Sequence, residues 1–95
     1  MTQVNHLLQP LRAEIDMIDQ QLIKLLNQRA AISVTIGQIK KSDPTCVLDI
    51  KDDNREKNIL ANITQQNIGP LNDDQLIKLF ECIMSQSRDL QSMIS

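Results

Sequence analysis

From Leu8 the apolar residues of this chain recur at alternating steps of three and four: Leu8, Leu11, Ile15, Ile18, Leu22 and Leu25, then Arg29, then Ile32, Ile36 and Ile39. This is the a/d seam of a heptad repeat, sustained over about four and a half repeats. Proline is tolerated in a helix only in the first turn, so Pro10 predicts a start near residues 6–9. Ser42-Asp43-Pro44 predicts a stop just after Lys41. Some 34 residues at 1.5 Å each give a helix about 50 Å long. A compact globule of this size is about 30 Å across. The helix outruns its own domain, and its apolar seam meets water unless a second copy covers it. That arithmetic predicts an obligate homodimer.

Two shorter helices follow. The acidic cluster Asp49–Asp53 suits an N-cap and the positive end of a helix dipole. The helix it opens carries Ile59, Leu60 and Ile63 on its inner face and ends near Ile68-Gly69-Pro70. Asn72-Asp73-Asp74 opens the next, with the stripe Leu76, Phe80, Ile83, Ser87, Leu90 and Ile94. With one aromatic, two glycines and three prolines, the composition disfavours strands and leaves few turns. The fold class predicted is all-α, with three helices per chain in one domain over residues 1–95.

Composition narrows the function. Ten basic residues against twelve acidic give a net charge of −2, which argues against a basic nucleic-acid surface or a polybasic membrane anchor. Phe80 is the single aromatic, so base-stacking platforms are absent. Cys46, Cys82 and the single histidine, His6, cannot make an ordinary closed zinc site, so no metal is expected. With no signal-peptide pattern and no run of 18 apolar residues, the chain reads as cytoplasmic, with both thiols free.

The informative residues are those that break the apolar faces. Arg29 occupies a seam position, where a charge either sets the register or meets a ligand. Lys40 lies eleven residues on, about 20° round the axis and about 16 Å along it, a spacing that suits the two ends of a small dianion. Taken alone, Lys40 reads as a surface lysine. Asp52, Arg55 and Glu56 stand at i, i+3 and i+4 on the face that continues into Ile59, Leu60 and Ile63, so the charged first turn is predicted to look inward. Capping plus a local ion pair accounts for it equally well. Ser87 and Gln91 lie one turn apart beside Met84 and Phe80, as an interhelical hydrogen bond would also require. Arg88 reads as a surface arginine. Jointly these residues come from three helices and are mostly hydrogen-bond donors, which suits carboxylates. A nucleophile–base pair, a phosphate loop and a catalytic histidine are missing.

Leu11-Arg12, Ile15-Asp16, Ile18-Asp19, Leu25-Leu26 with Arg29, Ile36-Gly37 with Lys40, Asp52-x-x-Arg55-Glu56, Leu79-Phe80 and Ser87-x-x-x-Gln91 occur in that order. In this order, from Leu11 to Gln91, the chain resembles the all-helical chorismate mutases of the AroQ class. The resemblance implies two intertwined chains with antiparallel first helices and two active sites. It implies a monofunctional chorismate mutase that turns chorismate into prephenate without cofactor. Arg29 and the partner's Arg12 would clamp the carboxylates, with Arg55 near the ring. Lys40 and Gln91 would donate to the ether oxygen from opposite sides. Glu56 would accept from the ring hydroxyl, and Asp52 would contact that hydroxyl or orient the cations. Ser87 would touch a carboxylate, and Ile36 and Met84 would be apolar walls. The link from Lys40 to Asp52 is longer than in compact members of the class. Two other activities fit the sequence less well. An isochorismate-pyruvate lyase would share the lysine and glutamine but tends to be apolar at the place of Glu56. A non-catalytic helical dimer would not need inward charges from three helices.

Overall fold

The computed structural model describes residues 2–43 and 52–93. Among them are three helices and no strand: α1 Thr2–Ser42, α2 Asp53–Gln66 and α3 Asp73–Ser92. The chain divides into two units, residues 1–31 and residues 32–95.

The first unit is the leading part of α1. It begins at Thr2, ahead of the predicted start near residues 6–9, and it contains Pro10 in its interior. Pro10 cannot donate to the carbonyl of His6, and its ring crowds that carbonyl. His6 is exposed, so water can take up the freed acceptor. The seam is exposed in the single chain: Leu11 at 55%, Ile15 at 56%, Ile18 at 59%, Leu22 at 50% and Leu25 at 60%.

The second unit holds the end of α1 together with α2 and α3. On α1 the buried positions are Ser33 and Gly37, one turn apart, while Ile32, Ile36 and Ile39 of the predicted seam stay exposed. The end of α1 thus has two faces, a small one covered within the chain and an apolar one left open. Helix α2 starts where Asp52 caps it, the Asp52 carboxylate accepting from the Arg55 backbone N–H at 3.0 Å. The rest of the predicted capping cluster, Asp49 to Lys51, lies outside the described residues, as do Pro44 and Cys46 of the connecting link. The helix ends at Gln66, two residues before the predicted stop, because Asn67 is already extended.

The turn into α3 is organised by Asn67. Its amide donates to the Leu71 carbonyl at 2.9 Å and to the Asp73 carboxylate at 2.8 Å, and its oxygen accepts from the Gly69 N–H at 3.0 Å. Gly69 sits at φ 75°, in the region where an L-residue is strained. Asn72 then closes a capping box with Gln75, at 2.8 and 3.0 Å. The two helices pack through half-buried Ile59, Leu60, Ile63, Leu76, Phe80 and Ile83. Met84 is the only buried apolar side chain among the described residues, at 4% exposure. The described residues of a single chain therefore hold almost no dry core.

Candidate active site

The site is built on the last two turns of α3. Helical spacing places Ser87, Arg88 and Gln91 one to two turns beyond buried Met84, on neighbouring parts of one face. Each of the other two helices contributes a charged side chain to this face.

From α1, the Lys40 ammonium donates to Gln91 Oε1 at 3.3 Å. An ammonium can only donate, so the amide turns its oxygen toward it and keeps its two Nε2 hydrogens for another acceptor. Lys40, Gln91 and Ser87 are all half-buried. From α2, Glu56 meets Arg88: Nη1 of the guanidinium donates to both carboxylate oxygens, at 2.7 and 2.6 Å. The two side chains are 20% and 29% exposed, so this ion pair is only partly screened by solvent.

This corrects the reading of Arg88 as a surface residue. The signal was available in the sequence. Arg88 follows Met84 by four positions, so the inward face at Met84 continues into it. The inward first turn of α2 is also corrected in part. Only Glu56 is half-buried; Asp52 and Arg55 are exposed. Asp52 turns its carboxylate back on the first-turn N–H groups, as a cap must, and so points along its own helix. Ile36, expected as an apolar wall, is 39% exposed, whereas Met84 is buried as expected.

Arg12 and Arg29 belong to the first unit, where Arg12 is exposed and Arg29 half-buried. Seventeen residues of one helix separate them, about 25 Å. One chain cannot bring those two guanidinium groups to a single small ligand.

No group of three or more metal-ligating side chains occurs among the described residues. Cys82 is free and exposed. Among the described residues no helix is long and apolar enough to cross a membrane. The donors and the bridged carboxylate together have the chemistry to bind and stabilise charge.

Among the described residues the chain is all-helical, with an ammonium, an amide and a bridged carboxylate meeting on one helix. The chain belongs to the type II chorismate mutase family, whose model matches residues 11–92. It is similar to a chorismate mutase from Helicobacter pylori solved in complex with prephenate. The TM-score is 0.79 and the identity 33%, over 92% of this chain and 91% of that one. A chorismate mutase from Thermus thermophilus gives 0.81 and 31%, over 93% and 97%. Among curated relatives, the bifunctional chorismate mutase/prephenate dehydratase of Neisseria gonorrhoeae is 35% identical over 83 residues, 87% of this chain. That of Aquifex aeolicus is 33% identical over 91 residues, 92% of this chain. The chain spans only 22% and 24% of the length of these two relatives.

Proposed function

We propose that this chain catalyses the rearrangement of chorismate to prephenate. The observation that carries the reading is the meeting of Lys40 and Gln91, 3.3 Å apart on two different helices. The reaction breaks an ether C–O bond and makes a C–C bond within one molecule, with negative charge growing on the ether oxygen. Two fixed donors are what that oxygen needs: the Lys40 ammonium and the free N–H bonds of Gln91. No proton must move and no covalent intermediate forms, in keeping with a site that has donors and no nucleophile–base pair. A millionfold acceleration requires about 8 kcal/mol. Preorganised donors and a held chair-like conformer are terms of that size.

Within this reading Glu56 accepts from the ring hydroxyl and Ser87 touches a carboxylate. Arg29 and Arg55 face the substrate's carboxylates. Met84 and Ile36 pack against the ring. Asp52 acts through its cap, fixing the first turn from which Arg55 and Glu56 project. The active form is a homodimer, with Arg12 reaching the partner's site. The exposed seam of α1 supports this, as does the distance between Arg12 and Arg29 on one helix.

The direct test is to incubate purified protein with chorismate and follow its loss and the appearance of prephenate. Prephenate formation at a saturable rate is expected; absence of product overturns the reading. The arginine assignment has its own test. Mixing an Arg12→Ala chain with an Arg29→Ala chain should restore activity, since one of the two sites in a mixed dimer keeps both arginines. Mixed dimers as inactive as either parent would remove Arg12 from the site.

A further inference from the structure

We infer that Arg88 is a positioning residue for the reaction: it holds Glu56 in place and oriented as the acceptor of the substrate's ring hydroxyl. Through Glu56, it makes the site selective for substrates that carry that hydroxyl. The inference rests on the functional reading above and adds to it a residue that the sequence pattern assigned to the surface.

Three observations carry it. First, Arg88 Nη1 bridges both oxygens of Glu56 at 2.7 and 2.6 Å, a geometry that fixes the rotation of the carboxylate as well as its place. Second, the pair joins α2 to α3 beside the Lys40–Gln91 pair, because Arg88 and Gln91 are three residues apart on one helix face. Third, both partners are partly withdrawn from solvent, at 29% and 20% exposure.

The electrostatics require such a partner. A dianionic substrate repels a bare carboxylate in the same half-buried site. The easiest relief would be for Glu56 to swing outward, which would end its service as an acceptor. A guanidinium across both oxygens offsets the repulsion and closes off the swing. It leaves acceptor capacity as well, since an ionised carboxylate has about four lone-pair sites and Arg88 occupies two. The substrate hydroxyl can then donate to an oxygen that Arg88 already holds still.

The experiment measures kcat and KM for chorismate and for its analogue lacking the ring hydroxyl. The proteins are wild type, Arg88→Met, Arg88→Lys, Glu56→Gln and the Arg88→Met/Glu56→Gln double variant. With chorismate, Arg88→Met should lose about 10- to 100-fold in kcat/KM, the scale of a hydrogen bond to a charged group. Arg88→Lys should recover part of the loss, since the bridge to both oxygens runs through one charged nitrogen. The double variant should be no worse than Glu56→Gln alone, because Arg88 acts through Glu56. With the deoxy analogue, wild type and Arg88→Met should be alike. An equal loss on both substrates, or additive losses in the double variant, overturns the inference. If Arg88→Met does not fold, Arg88→Gln, which keeps a donor and drops the charge, goes through the same comparison with the same outcomes. Active wild type beside an Arg88→Met variant that matches it on chorismate overturns this inference alone. Wild type inert toward chorismate overturns the functional reading and this inference with it.

Discussion

The two units of the chain treat their apolar and polar residues in opposite ways. In the first, Leu11, Ile15, Ile18, Leu22 and Leu25 form a regular seam, and every one is at least half exposed. In the second, the residues that interrupt the apolar faces find partners inside the chain: Lys40 on Gln91, Glu56 on Arg88, Asp52 on the N-terminus of its own helix. A regular seam left open is a pattern addressed to another molecule. Charged residues drawn together from three helices are, in the proposed reading, a pattern addressed to a ligand. Within one chain, the open seam and the paired polar residues thus lie in different stretches. Substitutions in the two should fail differently.

The sharpest way to break the contrast is Leu22→Asp. If the chain worked alone, a residue already 50% exposed would tolerate the change within about 0.5 kcal/mol. With the seam covered by a second copy, an unpaired charge is buried in each protomer, at a cost of about 3–5 kcal/mol. We expect loss of the dimer and of the melting transition, read by light scattering and thermal denaturation. A variant that melts like wild type would mean that the seam is not an interface.

Lys40→Ala should do the reverse. Its loss removes a charged donor from the growing negative charge and should lower kcat by about 100- to 1,000-fold, as for one oxyanion-type donor. The melting temperature should move little, since a half-buried surface-facing cation contributes little to stability. Steady-state kinetics and a melting curve on the same sample check both halves. A large drop in melting temperature with modest kinetic loss would make Lys40 a structural residue.

The third effect is conditional on pH. A glutamate at 91 can donate to the ether oxygen only when protonated. Burial and a dianionic substrate favour its neutral form, while the Lys40 ammonium 3.3 Å away in the wild type favours its ionised form. Gln91→Glu should therefore be most active in acid and lose kcat as pH rises, whereas the wild-type amide has no proton to lose. The measurement is kcat against pH for both. Parallel profiles would remove Gln91 from the site.

The helical fold was legible because its signals are local. The three-four spacing marks α1 and α3, and Asp52 and Asn72 are caps in the structure as in the pattern. The early start of α1 was hidden by Pro10, whose ordinary place is a first turn. Lys40, Gln91 and Glu56 were legible as polar breaks in apolar faces. What they touch was not, because 51 residues separate Lys40 from Gln91 and 32 separate Glu56 from Arg88. Arg88 stands beside Ser87 in sequence, where the spacing of Ser87 and Gln91 draws attention away from it. The spacing from Met84 identifies its face; its partner could be found only by packing α2 against α3.

The turn between α2 and α3 has a consequence of another kind. Gly69 holds φ 75°, yet a Cβ added there would meet no heavy atom within 4 Å. The position excludes ordinary side chains by handedness, with ample room for their bulk. An L-alanine would carry the backbone strain of a left-handed residue, about 1 kcal/mol. Its mirror image favours positive φ, so a D-alanine escapes that strain. Position 69 is a place where chemical synthesis can write a stereocentre that translation cannot.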